Sequence, residues 1–174
     1  MDNIITESGM DFIADNTFHI ECSTLYTDKM SSNGIRTVEF IRARGNNLIF
    51  VEAKTAFPKP DDAPNAEARG RFAISLNEVC EKFIHSLNLY SSVKVGVTEI
   101  QHPEGFSPPD RVTLTFVLVV KNHELEWCRS IEAALANVLP LYLRVIWKPI
   151  VRVINHSTAI KYNLAVLRDG NIDG

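Results

Sequence analysis

Glu52 and Lys54 stand two positions apart at the end of the otherwise apolar run LIFVEAK, and Glu39 sits inside the preceding apolar run, VEFIRA. An acid two places before a lysine is common in a chain with 21 acidic residues, so placement must carry the argument. Side chains alternate along a strand, so Leu48, Phe50, Glu52 and Lys54 share one face. A two-residue loop at Gly45-Asn46 pairs Arg44 with Asn47 and sets Glu39 opposite Glu52. A loop at Asn46-Asn47 sets Glu39 opposite Lys54 on that same face, and an odd-length loop would break the constellation. Two facing carboxylates repel, and a lysine or a hard divalent cation relieves them. Mg²⁺ takes one or two carboxylates, keeps several waters and leaves its other positions to phosphate oxygens. A metal beside a lysine that orients water suits hydrolysis of a phosphodiester. The competing reading is a structural ion-pair cluster.

The elements that must position these residues are legible in the pattern. TFHIECSTLY, from Thr17, reads as a first strand, GIRTVEFIRA as a second and NLIFVEAKT as a third, an antiparallel meander. Glu21, on the first strand with the parity of His19, is a candidate third metal ligand. Residues 1–16 leave room for a short helix around Thr6 to Ala14, and Thr27 to Gly34 reads as a turn. Phe57 to Gly70 reads as a loop. Ser75 is the expected cap of a helix, with Glu78 completing a capping box, Ile74 stapling on Val79, and Leu76, Val79, Cys80, Phe83 and Leu87 facing inward. Lys82 and His85 then fall on the outer face, opposite Glu78 and Glu81.

Downstream, His102 to Asp110 is a second Pro-rich loop. RVTLTFVLVVK, residues 111–121, is apolar on both faces and reads as a central strand covered on two sides. Residues 124–139 read as an amphipathic helix stopped by Pro140, Pro149 to Asn155 as a late strand, and residues 168–174 as a polar tail.

Composition sets the frame. The chain has 174 residues, 45% of them hydrophobic, which suits one domain over 1–174. A net charge of −3 argues against a broad basic surface. The three cysteines, Cys22, Cys80 and Cys128, form no C-x-x-C pair and read as core residues of a reduced, cytoplasmic protein. The acidic N-terminus carries no secretory signal, and no apolar run is long enough to cross a membrane. His19, His102, His123 and His156 show no zinc-ligand spacing, and Trp127 and Trp147 read as packing residues.

A meander, an acid on its second strand, E-x-K ending its third and an amphipathic helix after it together resemble the PD-(D/E)XK nuclease superfamily over roughly Thr17 to Tyr90. VEFIRARGNNLIFVEAKTAFPKP followed by EKFIHSLNLY is similar to small bacterial proteins of this type. The resemblance implies an α/β (α+β) domain with a mixed central sheet flanked by helices, restriction-endonuclease-like. It implies Glu39, Glu52 and Lys54 as catalytic residues, with Glu39 and Glu52 holding Mg²⁺ or Mn²⁺. The implied partner is nucleic acid. The alternative is a catalytically degenerate binding module in a larger assembly, with a protein partner or a second copy of the chain. The resemblance departs from the family where the strand-two acid is glutamate and where little chain precedes residue 17.

Overall fold

The computed structural model describes residues 3–24, 26–59, 65–98 and 101–167. A five-stranded mixed sheet runs in the order β3 (Thr17–Phe18), β4 (Phe40–Arg44), β5 (Asn47–Lys54), β6 (Thr113–Val120), β7 (Ile150–Asn155). The first three strands are antiparallel, and β6 and β7 run parallel to β5. The parallel pairings need crossovers, which α1 (Ala66–Lys94) and α2 (Leu125–Val138) provide. Both helices bury apolar side chains in one core with Leu48, Phe50, Phe116 and Leu118. The other face, with Phe40, Val51, Val117 and Val119, is covered by β1 (Ile4–Glu7), β2 (Met10–Ile13), α3 (His156–Lys161) and β8 (Ala165–Val166). The expected mixed sheet flanked by helices is thus present. Strand β6 is central and buried on both faces.

Several expectations are corrected. Residues 4–13 form a hairpin rather than a helix, because Ser8 (φ 51°) and Gly9 (φ 70°) make the two-residue left-handed turn that joins twisted strands. The first strand of the large sheet stops at Phe18. Ser23 explains the stop: its hydroxyl donates to the Ile20 carbonyl at 2.7 Å, and its N–H donates to the same oxygen at 3.1 Å. That local bonding closes a 3-10 turn over Ile20–Cys22, in competition with strand pairing.

Helix α1 starts not at Ser75 but at Asn65, whose side chain accepts the Ala68 N–H at 2.9 Å. Ser75 lies inside the helix, Ile74 is exposed, and Glu78 pairs with Arg36 at 3.1 Å, so neither capping box nor staple forms. Residues 66–70 of the expected loop are helical, and residues 60–64 of it lie outside the described residues, as does the expected tail. Cys80 and Cys128 are buried, but Cys22 is exposed. Trp147 is exposed, and the partly buried Trp127 carries the Lys59 ammonium 3.2 Å from its ring centroid. No described helix is long and apolar enough to cross a membrane.

Candidate functional site

The β4–β5 register has the expected Arg44↔Asn47 closure, with Gly45 at φ 55°, and runs to Phe40↔Val51. Glu39 lies one residue beyond, in a bend, and its N–H donates to the Val51 carbonyl at 3.1 Å. The regular ladder therefore ends just before the facing glutamates. Glu52 shares the helix-covered face with Leu48 and Phe50 and has no exposed surface at all. Lys54, on the same face, reaches back to place Nζ 3.1 Å from Glu52 Oε1, with its side chain still 36% exposed.

The sequence did not place Lys82 in this cluster. Expected on the outer face with Glu78, it points inward and is only 8% exposed. Its Nζ donates to both oxygens of Glu52, at 2.8 and 3.0 Å. It also lies 3.8 Å from Glu39 Oε1 and 3.7 Å from Glu21 Oε1. A signal existed: Val79, Lys82, Ser86, Leu89 and Val93 recur at alternating spacings of three and four and are all buried. Ser86 accepts the Val38 N–H at 2.8 Å and so fixes this helix stripe against the chain entering β4. His85 likewise turns from Glu81 to the Arg36 carbonyl, 2.9 Å away.

Glu21 reaches the cluster from the 3-10 turn and not from a strand. Three carboxyls from three separate segments of the chain thus converge on one ammonium. Burial, then the charge of Glu52, then that of Glu21 and a hydrogen bond with it push the Glu39 carboxyl up to about 9, against the pull of Lys82. Burial also raises Glu52, opposed first by Lys82 and then by Lys54. Burial would lower the Lys82 ammonium, but the charge and hydrogen bonds of Glu52, together with the charges of Glu39 and Glu21, outweigh it and raise it. The bidentate contact makes Lys82–Glu52 an ion pair.

The neighbouring Cys22 thiol is raised, by burial first and then by Glu7, Glu21 and Glu39. His19 Nε2 meets both Glu7 Oε1 (3.1 Å) and Cys22 Sγ (3.6 Å), so one ring nitrogen faces both groups and no acid–base relay through the imidazole forms. Nucleophilic cysteine chemistry is not built here.

Three carboxyls of mixed burial each place an oxygen within 3.8 Å of the Lys82 ammonium. No group of three or more His, Cys, Asp or Glu among the described residues is arranged to hold a metal ion directly. Comparison with known protein families, curated proteins and solved structures finds no significant match.

Proposed function

We propose that the protein is a Mg²⁺- or Mn²⁺-dependent nuclease that hydrolyses phosphodiester bonds. The observation that supports this most is the convergence of Glu21, Glu39 and Glu52 on one cation position, with Lys54 at its more exposed side. Glu39 and Glu52 would hold the metal, with Glu21 as the third and more exposed ligand. The metal, when bound, would lower the pKa of a water and stabilise charge developing on phosphate. Lys54, anchored on Glu52 and partly exposed, orients the attacking water. Glu52 has two partners to satisfy, so its orientation is fixed before substrate arrives.

A second reading rests on a specific observation: Glu52 is wholly buried and already has a bidentate cationic partner. It makes the protein a degenerate nuclease-fold module that binds nucleic acid or a protein partner without cleaving.

Calorimetric titration with Mn²⁺, run beside cleavage assays on mixed DNA and RNA, separates the two. The nuclease reading expects metal binding and cleavage in the wild type, both lost in Glu52→Ala. Lys54→Ala should keep metal binding and lower turnover, since its role follows metal loading. Metal binding unchanged in Glu52→Ala overturns the site. Metal bound without cleavage of any nucleic acid leaves the binding module.

A further inference from the structure

We propose that residues 141–148 dock the protein on an anionic lipid surface. The run PLYLRVIWKP is bracketed by Pro140, just past the end of α2, and Pro149, just before β7. The Pro140 carbonyl accepts the Leu143 and Arg144 N–H groups at 3.0 and 3.2 Å. Lys148, left-handed at φ 48°, returns its N–H to the Leu143 carbonyl at 2.8 Å and closes a π-helical turn over Leu143–Trp147. Leu143 is the one buried side chain of residues 141–148, and it pins the turn to the core. Leu141, Tyr142, Val145, Ile146 and Trp147 are all exposed, Ile146 by 72%. Single exposed hydrophobics are ordinary, but five large ones on one turn mark an interaction surface.

Charge selects the occupant. Arg144 and Lys148 are exposed beside these side chains, and neither pairs with an acid among the described residues. The chain carries 21 acidic residues, yet none lies between Glu132 and Asp169, where Arg144, Lys148, Arg152, Lys161 and Arg168 all fall. A second copy docked across a twofold axis would bring Arg144 and Lys148 of both copies to one contact with no acid to separate them. Anionic headgroups instead neutralise both cations while the apolar side chains enter the acyl boundary. Tyr142 and Trp147 suit the depth between the two, where aromatic rings with a polar atom are favoured.

Strands β5, β6 and β7 run parallel. Residues 141–148 precede the start of β7, whereas Glu52 and Lys54 stand at the end of β5, so the docking turn and the charged cluster occupy opposite ends of the sheet. Lipid contact therefore leaves the cluster's end of the sheet uncovered.

The test uses the full chain and vesicles of phosphatidylcholine, alone or mixed equally with phosphatidylserine. Co-sedimentation should show binding to the mixed vesicles, weakened by salt, and little to phosphatidylcholine alone. Arg144→Gln with Lys148→Gln should weaken it roughly thirtyfold, since each cation near an anionic surface counts about fivefold. Ile146→Ser with Trp147→Ser should abolish it. Lys121→Gln, at the far end of β6, should change it less than about twofold. In a Trp127→Phe background, Trp147 emission should shift to the blue on the mixed vesicles. Sedimentation velocity without lipid should give a monomer.

No binding to the mixed vesicles overturns the proposal, as does binding that survives either double change or leaves Trp147 emission unmoved. A wild-type dimer that Ile146→Ser with Trp147→Ser returns to monomer also overturns it and assigns the patch to a second copy. None of these outcomes bears on the nuclease reading, whose residues lie elsewhere.

Discussion

The two faces of the central sheet each bury a basic side chain and treat it differently. On the helix-covered face, Lys82 meets three carboxyls and bonds bidentately to one of them. On the other, Arg42 on β4 is 7% exposed and donates from Nη1 to the Asn163 carbonyl at 2.8 Å. Its Nε has no hydrogen-bond partner among the described residues. Burial first and Arg44 second lower the Arg42 guanidinium, against Asp15. Arg42 anchors a turn, as Arg44 does through the Tyr162 carbonyl at 2.6 Å. Structural anchoring needs one neutral acceptor per guanidinium. Gathering three acids around one amine exceeds what anchoring needs, and that excess separates a candidate site from a structural contact.

The largest test of this contrast is Glu52→Ala. It removes the bidentate partner of the buried Lys82, leaving only the longer contacts to Glu39 and Glu21, and should cost roughly 3–5 kcal/mol in urea unfolding. A loss under about 1 kcal/mol would place the pair in effectively wet surroundings and erase the contrast. Arg42→Met should cost less, about 1–3 kcal/mol, because it removes a hydrogen bond to a neutral carbonyl and leaves no opposite charge behind. If Arg42→Met proves the costlier change, the two faces have been read the wrong way round.

Glu39→Gln sharpens the comparison through pH. The Glu39 carboxyl sits at about 9 in the folded chain against an ordinary value of 4.5, so the folded protein holds a proton that the unfolded chain releases. Its contribution is fully present below pH 4.5 and is lost as pH rises toward 9. Glu39→Gln, neutral throughout, should match the wild type near pH 4.5 and exceed it by about 1 kcal/mol or more at alkaline pH. Melting curves across that range check the sign, and a wild type that gains on the variant as pH rises contradicts it.

The smallest effects concern the helix that delivers Lys82. Asn65→Ala removes the cap that is used and should cost about 1 kcal/mol, while Ser75→Ala removes one that is not and should stay within about 0.5 kcal/mol. Equal losses from both would mean that the start of α1 is not decided at Asn65.

Strand β5, its hairpin with β4 and the shared face of Glu52 and Lys54 were legible in the sequence, because side-chain alternation and a Gly-Asn turn act over a few residues. Strands β6 and β7 and helix α2 were legible for the same local reason: their apolar period is uninterrupted. Glu21 was expected on a strand but lies on a 3-10 turn, since a strand-like composition around it yielded to the Ser23 turn. The hairpin at residues 4–13 was missed although Met10 and Phe12 alternate into the core, because its turn is Ser-Gly and its strands are short.

What the sequence determined by itself is periodicity: which residues alternate, which recur at helical spacing, and therefore that Glu52 and Lys54 are neighbours. What only the tertiary structure decided is which charged residue on α1 faces the sheet. Lys82 lies three residues after Val79 and four after Glu78, so local spacing allows it either an inner or an outer partner. The choice fell to a carboxylate 30 positions away in the chain that α1 covers and shields from water. Burial makes an uncompensated charge costly there, whereas an exposed pair with Glu78 is worth little, so Lys82 turns inward.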